Sequence, residues 1–337
     1  MLCRTSKLTH PVSGVSLHTP LLVPSLSSKA FGFDRGQLDL VKVLDYSREF
    51  ITKTCLISAY DIYYNYIPSP EDFPINVDLI FLDSGGFEVS DERDLSAVDW
   101  PVHKPMHWHR EKLDVVISNW PEWLPAVLIS YDHSNERKVV GAQMRDAKRF
   151  LEQHPGHLYS FLLKPQSRAD QTLEPAIQAL AQQVRDLEGF HFLGVTEKEL
   201  GNSIWDRMLR IANLRRLLDT ASLSMPIHVF GALDPLLVCL YFISGAEVFD
   251  GLTWCRYAYN SGLSVYTNDN SALKYGIEVE HNKARILTIQ DNIRHLDQLE
   301  RSLRTFAKTN DWSQLKNNAE FVRMAADRLE SQLGRAD

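Results

Sequence analysis

Eight short apolar runs punctuate the chain, at residues 21–23, 55–58, 79–82, 127–130, 159–163, 190–195, 227–230 and 247–249. Each is rich in Val, Ile, Leu or Phe and bounded by turn residues, the pattern of parallel strands buried on both faces. Between the runs the apolar spacing becomes helical. Leu173, Ile177, Leu180, Val184 and Leu187 share one helical face, and Gly189 stands where a C-terminal cap belongs. Ile204, Met208, Ile211 and Leu218 repeat the pattern. Asp234 before Pro235 predicts an N-cap with proline at the first helical position, and Gly245 predicts the end of that short helix.

Eight strand-then-helix units predict an α/β fold, a closed (β/α)8 TIM-type barrel over residues 1–290, although an open doubly wound sheet would show the same alternation. From Asp291 onward, Ile293, Leu296, Leu299, Leu303 and Phe306 form an apolar stripe with charges opposite. That stripe predicts a C-terminal helical extension, 291–337, packed on the outside of the barrel. Two excursions break the rhythm: 67–77 is rich in Pro, and 99–122 is rich in Pro and Trp. Long excursions in compact domains often carry function, so 100–123 is a candidate substrate-facing lid, with aromatics packed on the barrel rim as the plainer reading.

Composition narrows the classes. With 337 residues, 44% of them hydrophobic and 23% charged, the chain can bury a core without staples. The longest apolar run, 235–243, falls far short of the roughly 20 residues that span a bilayer, so no membrane role is expected. Cys3, Cys55, Cys239 and Cys255 lie far apart with no C-x-x-C pair, which argues against a disulfide framework or a cysteine zinc site and fits a reducing cytoplasm. Lys plus Arg 36 against Asp plus Glu 43 gives −7, the wrong sign for holding nucleic acid by bulk charge, so any polynucleotide must meet a local basic patch.

In a barrel of this kind the residues just past the C-terminal ends of the strands line the active site. After the third run come Asp83-Ser84-Gly85-Gly86-Phe87, after the fourth Asp132-His133-Ser134, and after the eighth Asp250-Gly251. Three carboxylates at one mouth suit chemistry at a glycosidic carbon, where one attacks or stabilises the oxocarbenium-like centre and another moves a proton. Strand-end aspartates also serve as helix caps and loop acceptors. The glycine pair allows close backbone approach to a planar ligand, or a positive φ that turns amides inward; otherwise it makes a tight turn.

The run Leu82-Asp83-Ser84-Gly85-Gly86-Phe87 resembles the DSGGF/Y-Q signature of the tRNA-guanine transglycosylases. Pro11-Val12-Ser13-Gly14 through Thr19-Pro20-Leu21-Leu22-Val23-Pro24 is similar to that family's opening hairpin and first strand. His228-Val229-Phe230-Gly231, Pro235 and Phe249-Asp250 through Arg256 are similar to its LMGxGxP…FDCVxPTR segment. The resemblance covers roughly Thr9 to Ala258 and implies exchange of guanine for a 7-deazaguanine-type base in tRNA or DNA, with no cofactor. By the same resemblance Asp250 attacks the ribose C1′ and Asp83 shuttles the proton. Asp132 reads the amide edge of the base, Ser84 and Gly85 belong to the base-binding turn, and Gly194 with Val195 offers backbone to the base carbonyl. Phe87, Phe230 and Gly231 flank the base, and Arg256 stands near the nucleophile to hold a carboxylate or a phosphate.

Departures from the family pattern are equally specific. Lys164-Pro165-Gln166 replaces VQGG, so the contact to the base carbonyl falls to Lys164, to Gln166, or is lost. Tyr259 replaces a second arginine. The C-x-C-x-x-C zinc motif after the nucleophile is missing, and residues 262–281 take its place. His103, His107 and His109 have metal-compatible spacing but read as surface and aromatic-loop histidines, so no metal is assigned. A protein partner or a homo-oligomer fits the family, and two other functions stay open: a non-catalytic nucleobase-binding subunit of a modification complex, and an unrelated nucleosidase or glycosidase barrel.

Overall fold

Each apolar run forms a strand: β1 Leu21–Leu26, β2 Thr54–Ser58, β3 Leu79–Asp83, β4 Ala126–Ile129, β5 Leu158–Leu163, β6 Phe192–Thr196, β7 Ile227–Phe230 and β8 Val248–Gly251. All neighbours are parallel and follow chain order, and β8 pairs back onto β1 through Val248 opposite Leu21 and Asp250 opposite Val23, closing the barrel. The computed structural model describes residues 1–334 apart from 31–32, 35–36, 73–75, 92, 98–103 and 134–135, with backbone alone at 33–34 and 37–39.

Alternation along each strand divides the core in two. Leu21, Val23, Leu79, Phe81, Val127, Ile129, Phe192 and Val248 point inward and fill the barrel. Leu22, Leu26, Ile80, Leu82, Leu128, Leu193, Val195 and Phe249 point outward into the layer beneath the helices. A strand with an apolar partner on both faces is therefore a predominantly apolar run without strict polar alternation. An antiparallel hairpin, Lys7–Thr9 with Ser16–His18, adds Leu8 and Leu17 to the interior cluster.

The helices are α1 Asp39–Ser47, α2 Ala59–Tyr63, α3 Gly86–Val89, α4 Arg110–Ser118, α5 Val140–Gln153, α6 Glu174–Ala181, α7 Ile204–Thr220, α8 Pro235–Ile243, α9 Thr253–Arg256, α10 Thr267–Tyr275, α11 His281–Thr309 and α12 Ala319–Leu333. At the start of α8, Asp234 accepts from the backbone amides of Leu236 (3.0 Å) and Leu237 (3.2 Å), and Gly245 takes a φ of 107°, as the sequence pattern predicts. The stripe predicted to run from Leu173 to Leu187 is instead broken: α6 stops at Ala181 and a 3-10 turn, Val184–Leu187, follows. Gln183 leaves the helical region with φ −142°, and this re-aims the backbone while both Leu180 and Leu187 stay fully buried.

The expected boundary at residue 291 falls inside α11, which begins at His281. This helix packs against α1, α8 and β1, the place of the eighth helix of the barrel. Ile289, Ile293, Leu296, Leu303 and Phe306 are buried along it. Glu300, 3% exposed, accepts from the Leu22 amide at 3.3 Å and pairs with Lys53 at 3.0 Å, tying α11 to the first strand. The C-terminal helices thus pack on the outside of the barrel as the apolar stripe predicts, with α11 beginning ten residues earlier, after the segment carrying α9, a small hairpin and α10. A fragment of residues 1–290 should therefore lack a cooperative thermal transition by circular dichroism, whereas a barrel with a dispensable extension would keep one.

Candidate active site

Inward parity at the C-terminal ends of the strands sets the site. Ser25 on β1, Asp83 on β3, Thr196 on β6, Phe230 on β7 and Asp250 on β8 all line one cleft, with Lys164 just past β5. The cleft encloses about 960 Å3, open to solvent, and Ser84, Gly86, Phe87, Asp132, Gly231 and Gly251 complete much of its wall. Asp83 and Asp250 therefore face one space from strands that β1 and β2 separate.

The two carboxylates have different surroundings. Asp250 is 5% exposed and accepts from two side chains, Ser25 Oγ to Oδ2 at 2.6 Å and His228 Nε2 to Oδ1 at 3.0 Å. His228 is fully buried, stacked on Phe230 with ring centroids 3.8 Å apart and edge-on to Phe81. Donors on both oxygens fix the orientation of the Asp250 carboxyl. Asp83 Oδ2, by contrast, accepts from the backbone amide of Gly85 at 3.1 Å. Burial first, then the nearby Glu88 and more weakly Asp250 and Asp132, push its carboxyl up to about 8. Burial and the neighbouring acids thus favour the protonated form of Asp83, which shares the cleft with Asp250.

A third carboxylate belongs to a compact ionic cluster. Asp132 Oδ1 accepts from Arg137 at 2.9 Å, and its Oδ2 lies 3.5 Å from Lys164 Nζ. Lys164 also pairs with Glu199 at 2.8 Å and donates to Thr196 Oγ1 at 3.1 Å, while Arg137 reaches Glu199 at 3.4 Å. Burial disfavours the charged ammonium of Lys164, but Asp132 and Glu199 outweigh it and hold the group above the ordinary lysine value.

The glycine pair is explained by protein contacts. Gly85 has φ 91°, and a Cβ there would meet Trp108 Nε1 at 2.6 Å; the same indole donates to the Ser84 carbonyl at 2.9 Å. A Cβ on Gly86 would meet the Asp132 carbonyl oxygen at 2.6 Å, so the pair lets the turns after β3 and β4 touch. Gly85 lies under Trp108 and outside the cleft lining. Gly194 is inward but gives its space to the Phe230 ring, which a Cβ would meet at 2.7 Å. Val195, one residue on, faces the outer core by strand parity.

Two more expected residues are not part of the cleft lining. Gln166 accepts from the Val140 amide and donates to the Pro175 carbonyl on the helix side of the barrel. Arg256 holds Asp94, at 2.7 and 2.8 Å to its two oxygens, together with Ser96 Oγ at 2.6 Å. It thereby pins the loop after α3. Tyr259 is buried, with its hydroxyl donating to the Leu233 carbonyl at 2.6 Å and its amide held by Asn292 of α11. Residues that sequence reasoning passed over are Ser25, His228, Glu88, Arg137, Glu199 and Asp94. The signal for the first two was available: a serine and a histidine at inward positions of otherwise apolar strands.

The excursion 99–122 contains α4, and Trp108 and Trp120 are buried with their indole nitrogens on the carbonyls of Ser84 and Leu124. Trp123 is exposed, Trp100 lies outside the described residues, and no described residue of 104–123 lines the cleft of Asp83 and Asp250. His109 pairs with Glu111 at 2.6 Å, with His107 packed at its ring edge; His103 and Ser134 lie outside the described residues. Among the described residues no group of three or more His, Cys, Asp or Glu side chains is arranged to hold a metal, and no helix is long and apolar enough to cross a membrane. All four cysteines are free thiols. No protein-family model matches the chain, and no curated protein matches it in sequence.

A carboxyl whose proton affinity rises on folding makes the native state bind more protons than the unfolded chain between the ordinary aspartate value, 3.8, and about 8. The stability contributed by the neutral form is complete below that window and is lost as pH rises through it. Asp83→Asn should accordingly leave stability near pH 4 unchanged and raise it at pH 9 by on the order of 2 kcal/mol, read from urea midpoints at the two pH values.

Proposed function

We propose that the cleft exchanges a guanine in a nucleic acid, tRNA or DNA, for a 7-deazaguanine-type base through a covalent link between Asp250 and the ribose C1′. The observation that carries this reading is two carboxyls lining one cleft with unlike partners: Asp250 accepts from the side chains of Ser25 and His228, whereas Asp83 accepts from the Gly85 amide and is pushed up by burial and Glu88. Attack by Asp250 on C1′ needs a leaving base, and a neutral purine leaves only if its ring nitrogen gains a proton. Asp83 supplies that proton, Asp250 carries the sugar, and an incoming base reverses both steps by returning a proton to Asp83.

Recognition of the base falls to Lys164 and Asp132. A guanine edge presents a carbonyl acceptor beside N–H donors, and an ammonium 3.5 Å from a carboxylate oxygen presents the complementary order. A carboxylate has about four lone-pair sites, so Asp132 can accept from a base while keeping Arg137. With Gln166 on the helix side, Lys164 is the residue of the 164–166 segment that meets the base carbonyl. Phe87 and Phe230 add apolar ring surface to the same cleft.

The chain should incorporate labelled guanine into tRNA or into DNA and form a band resistant to denaturing electrophoresis. Asp250→Asn, isosteric but not nucleophilic, should abolish both signals while keeping the wild-type circular dichroism spectrum. No exchange with either polynucleotide, or exchange undiminished in Asp250→Asn, rejects the proposal; release of free base without incorporation identifies a hydrolase instead. Lys164→Met should lower kcat/KM for guanine incorporation by about 100-fold, as expected from loss of a charged hydrogen bond and an unpaired Asp132.

A further inference from the structure

One turn after Asp83, helix α3 brings a second acid to the same cleft. Glu88 is 1% exposed and lines the cleft wall. Ser27 Oγ donates to its Oε1, and Ser58 Oγ donates to its Oε2 at 2.7 Å. Ser58 is also the register partner of Asp83 in the β2–β3 pair, so a hydroxyl that fixes Glu88 belongs to the residue beside Asp83 in the sheet. Behind Glu88 lies Asp61 of α2, fully buried, which accepts from the Ser28 amide at 2.8 Å and from Ser28 Oγ. Burial, and then Glu88, raise the Asp61 carboxyl well above the usual range.

The charged and titratable groups around Asp83 come from every neighbouring element. Glu88 of α3 and Asp61 of α2 stand on one side, and Asp250 of β8 with His228 of β7 on another. Asp132, with Arg137 and Lys164, follows β4 and β5. Lys29 reaches the Phe87 carbonyl at 2.6 Å and Ser90 Oγ at 3.0 Å, and its ammonium lies 4.3 Å from the Phe87 ring centre, which holds the backbone of α3 in place. Of the acids near Asp83, Glu88 acts on it most strongly.

We propose that Glu88 is a positioning residue that keeps a proton on Asp83: clamped by Ser27 and Ser58, its carboxylate opposes a second negative charge in the cleft until a departing base takes that proton. The inference deepens the base-exchange reading and rests on it for the role of Asp83. When Asp83 protonates the leaving base it becomes a carboxylate beside Glu88, and the repulsion between the two drives Asp83 to recover a proton from the incoming base. No net proton is gained or lost over the exchange.

The test is a titration that needs no substrate. In protein labelled with 13C at Asp and Glu side-chain carboxyls, the Asp83 signal is the aspartate signal missing from Asp83→Asn, and it should titrate near pH 8. Glu88→Gln should move that midpoint down by at least one pH unit, about a tenfold loss of proton affinity, whereas Glu88→Asp should keep it. An unchanged midpoint in Glu88→Gln overturns the proposal. Should Glu88→Gln fail to fold, the wild-type Glu88 signal decides: it should step at the Asp83 midpoint and lose the step in Asp83→Asn, and a Glu88 signal blind to Asp83 overturns the proposal equally. A shifted midpoint in a chain without exchange activity would reject the function above and leave this pairing standing.

Discussion

Five carboxylates, those of Asp61, Asp83, Glu88, Asp132 and Asp250, crowd one end of the barrel, and a charge removed from water must be satisfied or surrendered. The molecule meets that constraint differently at each. Asp132 is neutralised by Arg137 and Lys164, Asp250 accepts from Ser25 and His228, and Glu88 accepts from Ser27 and Ser58. Asp83 sits among the others on the backbone amide of Gly85, and burial with the neighbouring Glu88 raises its carboxyl toward the protonated form. Chemical differentiation of the rim therefore follows from where hydroxyls, imidazole and cations have been placed, since the acids are alike in kind.

Those placements follow from strand parity. A β-strand turns alternate side chains inward, so Val23 and Ser25, Phe81 and Asp83, His228 and Phe230, or Val248 and Asp250 share an interior whose floor is apolar and whose rim is polar. The same rule places Val195 and Phe249 in the outer core. The (β/α)8 barrel could be read from the eight runs, and the acids of the rim from their positions just beyond three of them. Parity, applied residue by residue, would also have separated Gly194 from Val195 and brought forward Ser25 and His228.

Long-range structure was legible only in part, for physical reasons. Helical periodicity announces α11 but does not say that its apolar face fills the gap between α1 and α8. Proximity in the chain to Asp250 does not show that the guanidinium of Arg256 turns to Asp94. Nor does the glycine pair reveal its partners, because Trp108 and the Asp132 carbonyl arrive from loops well removed in sequence. Each case depends on a contact between distant segments, which local spacing does not encode.

The cations near the cleft bear on how a polynucleotide would sit. Lys164 and Arg137 answer Asp132 and Glu199, and Arg256 answers Asp94, so these positive charges chiefly cancel negative charge of the protein itself. With −7 overall, the chain has little general attraction for phosphate to spare. The Asp132–Arg137–Lys164 side of the cleft is also a wall of a second, polar cavity of about 1000 Å3, whose other lining includes Arg110, His133 and Lys138. One ionic cluster thus separates two openings, so that displacing a single one of its pairs would alter both. Selectivity at this rim is accordingly a matter of which partner Asp132 and Lys164 hold, the protein's own or the base's, more than of overall electrostatic attraction.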